Sequence, residues 1–131
     1  MYNAQQKPRG TRPEMTGERN LDFSGWVKIL LPDSYEGYRV SDLDWVLANV
    51  NTKKIMLVEQ KNYGSKQKRW QRILFADIDK WISTGIAHDN RGWEYLGFHK
   101  VVFEKTYPEN GRIWFDGRLV TKEELTNILS F

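Results

Sequence analysis

Residues 41–62, SDLDWVLANVNTKKIMLVEQKN, hold two apolar runs joined by a polar turn. WVLANV and KIMLVE have the length and branched character of buried strands, and NTKK between them suits a hairpin turn, with Asn51 placed to hydrogen-bond its own backbone. The runs carry charge at their outer ends, with Asp42 and Asp44 before the first and Glu59 and Lys61 at the close of the second. A charge on a partly buried strand is costly unless it is paired or binds something. Side chains alternate along a strand, so Asp42 and Asp44 share one face, as do Glu59 and Lys61. One hairpin register sets Asp44 opposite Glu59; the next sets it opposite Lys61 and diagonal to Glu59. Both gather the four side chains on one side at the open end of the hairpin, whereas a one-residue slip separates them.

Opposed Cβ atoms lie about 4.5–5.5 Å apart and diagonal ones about 7–8 Å, close enough for two carboxylates to converge on one cation. Oxygen ligands without Cys or His favour Mg²⁺ or Mn²⁺ over zinc. Lys61 then stands one side-chain length from the ion, where it can orient or help deprotonate a water and stabilise charge growing on a phosphate. These are the parts of a metal-dependent site that cuts phosphodiesters.

Outward from this hairpin, residues 1–15 are polar, with Pro8, Gly10 and Pro13, and read as a flexible basic arm; 16–131 read as one domain. TGERNLDFSGW (16–26) suggests a short helix capped by Thr16, and WVKILL (26–31) a strand stopped by Pro32. The hairpin strands are expected at about 38–50 and 54–61. After NYGS, the spacing of Trp70, Leu74, Ile78, Trp81 and Ile82 predicts a helix over 65–83, with Gly85 just beyond its end. WEYLGFHKVVFEK (93–105) and RIWFDGRLV (112–120) read as two further strands. TKEELTNILSF (121–131) opens with Thr121 and, three residues on, Glu124, the pattern of a capping box. The expected class is α/β, a mixed β-sheet flanked by helices.

The chain has 131 residues and no cysteine, which excludes a disulfide scaffold, thiolate zinc sites and a cysteine nucleophile. The polar N-terminus is no signal peptide and no apolar run reaches membrane-span length, so a cytoplasmic protein without a membrane partner is expected. The net charge of +3 permits a nucleic-acid partner. Its distribution favours one: Lys7, Arg9, Arg12 and Arg19 cluster first. Lys66, Lys68, Arg69 and Arg72 then interleave with Tyr63 and Trp70, as suits phosphate contact and base stacking. His88 and His99, the only histidines, lack zinc-ligand spacing, and His99 reads as structural or exposed.

Asp44 followed by Glu59-Gln60-Lys61 at the end of the apolar run IMLVE resembles the PD-(D/E)xK nuclease superfamily. That group comprises restriction endonuclease-like enzymes, Holliday-junction resolvases and RecB-type nucleases. The resemblance spans about 16–105 and implies a restriction endonuclease-like core: a helix, a three-strand meander, a helix and a further strand. The family's usual Pro before the first Asp is absent here, which leaves Asp42 or Asp44 as the principal ligand; Asp44, directly followed by WVL, is preferred, with Asp42 auxiliary. The resemblance also implies that the Gln60 carbonyl faces the metal, that Glu18 (or else Glu14) supplies a first-helix acid, and that Gln71 takes the place of a RecB-type glutamine. The expectation is a Mg²⁺-dependent (or Mn²⁺-dependent) nuclease cutting DNA, or RNA, at junctions, flaps or ends. It would come from a prokaryotic, archaeal or phage-infected cell, and sequence-specific cutting would require a homodimer or higher oligomer. The alternative is a nuclease-like fold that binds nucleic acid or regulates another protein without cutting.

Overall fold

A computed structural model describes residues 22–105 and 110–131. The chain divides after Asp42 into a small N-terminal unit and a larger one running from Leu43 to Phe131. In the first, helix α1 (Asp22–Leu30) is followed by a 3₁₀ turn, Ser34–Glu36. The run WVKIL, expected as a strand, is the second half of α1. Asp22 in its first turn and Lys28 in its last both complement the helix dipole, and Phe23 stacks on Trp26 three residues away, at 5.9 Å between centroids. These local helix signals outweigh the strand preference of Val27 and Ile29. The expected N-cap Thr16 and the arm 1–15 lie outside the described residues.

The larger unit is a mixed five-stranded sheet in sequential order: β1 (Trp45–Asn49), β2 (Lys54–Asn62), β3 (Glu94–Phe103), β4 (Ile113–Phe115) and β5 (Arg118–Val120). β2 and β3 are parallel, joined across helix α2 (Arg69–Ala87); every other pair is antiparallel. Helix α3 (Lys122–Leu129) closes the chain. The class is α/β, as expected.

The first hairpin strand is shorter than expected, because residues 38–44 are not in it. Two strands, not a three-strand meander, therefore precede α2 among the described residues. The ladder stops at Trp45, since the next backbone donor, Gln60 N–H, is taken by the Asp44 carboxylate at 2.9 Å. The register pairs Trp45 with Val58 and Asn49 with Lys54, which continues to Asp44 opposite Glu59. The turn is held by Asn49 rather than Asn51: its side-chain oxygen accepts from Asn51 N–H (2.9 Å) and Thr52 N–H (3.3 Å).

α2 begins four residues later than expected. Gly64 (φ 86°) turns the chain, residues 65–67 run outside the helix, and Lys68 takes the extended N-cap conformation. Gly85 lies inside the last turn and not beyond it. Phe75 stacks on Phe98 at 4.8 Å, and Asp79 accepts from Tyr95 O–H (2.8 Å) and Phe98 N–H (3.1 Å), locking α2 to β3. RIWFDGRLV is two strands, folded back at Asp116-Gly117, where φ values of 50° and 81° provide the backward turn that a tight hairpin needs. The capping box of α3 forms as read, with Thr121 and Glu124 bonding reciprocally at 3.0 Å.

The core lies on the α3 face of the sheet, built from Met56, Val58, Val101, Phe103, Ile113, Phe115, Val120 and Leu125. Because side chains alternate along β2, Leu57, Glu59 and Lys61 point the other way. Among the described residues no helix is long and apolar enough to cross a membrane.

Candidate functional site

β2 is flanked by β1 as far as Val58 and by β3 along its length, and Glu59 follows directly, beside β3 and on the α2 side of the sheet. Glu59 is 4% exposed, the one buried charged residue among those described. Its Oε1 lies 3.1 Å from Lys61 Nζ, while its Oε2 is buried without a hydrogen-bond partner. Burial pushes the Glu59 carboxyl above its ordinary range; the Lys61 hydrogen bond pulls it back, and the neighbouring Asp44 carboxylate pushes it up again. The two acids therefore face each other as an unfavourable pair, and one cation on the strand answers part of their charge.

Asp44, Trp45, Gln60, Lys61, Asn62 and Ser65 line a polar cleft of about 340 Å³ at the open end of the hairpin. Asp44 is fixed by Gln60 N–H, and Trp45 Nε1 donates to the Gln60 side-chain oxygen at 3.3 Å. The hairpin thus brings together Asp44, Glu59, Gln60 and Lys61.

The other expected site residues are placed differently. Asp42 belongs to the N-terminal unit. Gln71 stands half-buried in the first turn of α2, its N–H bonded to Lys68 O at 3.0 Å, and does not line the cleft. Glu18, Glu14 and Arg19 lie outside the described residues. Lys66, Lys68, Arg69 and Arg72 are exposed along the loop and first turn of α2, with no ion pair to a described residue and no acid in that turn. Positive charge at a helix start opposes the helix dipole, a conflict that a bound anion relieves. Tyr63, 61% exposed, stacks on Trp114 at 5.1 Å, with the Arg112 guanidinium over both rings.

Among the described residues there is no group of three or more His, Cys, Asp or Glu able to hold a metal. The donor set still fits a hard cation. Mg²⁺ is commonly held by one or two carboxylates, with water and substrate phosphate completing its shell. Asp44 and Glu59 are two such carboxylates, and the unpartnered Oε2 of Glu59 is an acceptor with nothing to accept from.

His99 is structural: its Nδ1 lies 2.6 Å from Asp116 Oδ2 and its Nε2 2.6 Å from Leu96 O. The sequence reading missed Lys100. The parallel register sets it directly beside Glu59. A lysine interrupting the apolar run of β3 was a visible signal, but its partner strand was not. Compared with protein-family models, curated proteins and solved structures, the chain matches none.

Proposed function

We propose that this chain is a metal-dependent endonuclease of the restriction endonuclease-like type, hydrolysing phosphodiester bonds in DNA with Mg²⁺ or Mn²⁺. The supporting observation is the buried Glu59, one oxygen held by Lys61 at 3.1 Å, the other unpartnered, with Asp44 beside it. Folding alone gives no reason to bury a carboxylate against another carboxylate.

Asp44 and Glu59 would hold the ion. Bound there, the ion would polarise the phosphate and acidify the attacking water. Lys61, held in place by Glu59, orients that water and donates to the phosphate oxygen on which charge grows. The water oxygen forms the new bond to phosphorus, and the departing sugar oxygen takes up a proton. Lys66, Lys68, Arg69 and Arg72, without an ion pair to a described residue, contact backbone phosphates, and Tyr63 offers a ring for stacking. A basic domain of this kind suits DNA recognised by its structure, at junctions, flaps or ends.

The test is cleavage of linear duplex, single strand, flap and four-way junction in Mg²⁺, Mn²⁺ or EDTA, with Lys61→Ala alongside. Metal-dependent cutting that Lys61→Ala lowers about 10²-fold or more, with binding retained, supports the reading. Binding without cutting in any metal would leave the non-catalytic binding module in its place.

A further inference from the structure

Glu59 also borders a second cavity, of about 260 Å³, between α2 and the sheet. Gln67 and Arg72 line it from the α2 side, His99 and Lys100 from β3. The carboxylates around it already hold hydrogen bonds. Asp79 accepts from Tyr95 and Phe98, Asp116 Oδ1 accepts from Lys100 N–H at 2.9 Å, and Asp116 Oδ2 meets His99. Glu59 Oε1 is taken by Lys61. The side-chain cations of Arg72 and the half-buried Lys100 are left over, neither in an ion pair with a described carboxylate. The parallel register sets Lys100 beside Glu59, on a strand about 4.8 Å away.

We propose that Arg72 and Lys100, with the Gln67 amide, form a second phosphate-binding subsite on the α2 side of Glu59. It takes a backbone phosphate next to the one that is cleaved, and so rests on the nuclease reading above. Arg72 and Lys100 bring two cations to a cavity whose carboxylates, Glu59, Asp79 and Asp116, each already hold a hydrogen bond. Substrate therefore straddles Glu59, with the scissile phosphate on the Asp44–Lys61 side and its neighbour on Arg72 and Lys100.

The experiment measures binding of a labelled oligonucleotide in EDTA across a salt series, for wild type, Lys100→Gln, Arg72→Gln, the double variant and Lys100→Arg. Thermal melts confirm folding, and exposed Arg72 serves as the second probe should Lys100→Gln not fold. The double variant should bind about tenfold more weakly, the loss of a charged contact. Its salt slope should fall by about 0.9 on duplex or 0.7 on single strand, one phosphate's worth. In Mg²⁺ its KM should rise with kcat little changed, and Lys100→Arg should behave as wild type. Unchanged slope and KM in the Gln variants, in a protein that does cut DNA, overturn the subsite and leave the nuclease reading standing. A wild type that neither cuts nor binds overturns both. If inorganic phosphate protects wild type but not Lys100→Gln from unfolding, with the oligonucleotide slope unmoved, the site takes free phosphate and the proposal fails.

Discussion

Replacing Glu59 by Gln should make the metal-free protein more stable while abolishing its response to Mg²⁺. The wild-type side chain is buried, faces Asp44 and leaves Oε2 without a partner, a burden of about 1–3 kcal/mol for an unsatisfied buried group. Glutamine keeps the shape, removes the charge and offers an amide N–H to the neighbouring Asp44 carboxylate. The loss is the bond to Lys61, whose side chain is 22% exposed and can turn to water, so that the pair contributes only about 1 kcal/mol or less. The balance is a gain of about 1 kcal/mol for Glu59→Gln in EDTA. Metal reverses the order, because an ion at 100 times its dissociation constant stabilises wild type by about 2.7 kcal/mol and the variant by nearly nothing. Urea unfolding of both proteins in EDTA and in Mg²⁺ measures all four quantities. A variant less stable than wild type by about 1 kcal/mol or more in EDTA, responding equally to Mg²⁺, would refute the reasoning: Glu59 would then be a structural ion-pair partner.

The same carboxyl should leave a pH signature in the metal-free protein. Its folded pKa is raised above the ordinary 4.5, so between those values the folded state binds more protons than the unfolded one. Stability from this group is full below 4.5 and falls as pH rises through the raised folded value; Glu59→Gln should flatten that fall in urea titrations at stepped pH. Thr121→Ala removes one half of the capping box and should cost about 1 kcal/mol by the same measurement, without affecting metal binding.

The hairpin, the acids at its open end and the cap of α3 were legible because their signals are local. Strand alternation puts Glu59 and Lys61 on one face wherever the strand lies, and Thr121 and Glu124 meet within a single helical turn. Asp116-Gly117 was an equally local signal, and the unbroken reading of RIWFDGRLV overlooked it. WVKIL misled because a short apolar run reads as helix or strand until its neighbours decide. What the chain alone could not determine was long-range. The turn, closed by Asn49, selected between two registers and set Asp44 opposite Glu59. The parallel pairing of β2 with β3 across α2 carried Lys100 to Glu59, a juxtaposition no local periodicity encodes. Burial finally separated two similar acids: Asp44 stays at the cleft, bonded to a backbone N–H, while Glu59 lies beside β3 and towards α2 with an unsatisfied oxygen. That difference arises from packing, since only neighbouring strands and helix can take the water away from a carboxylate.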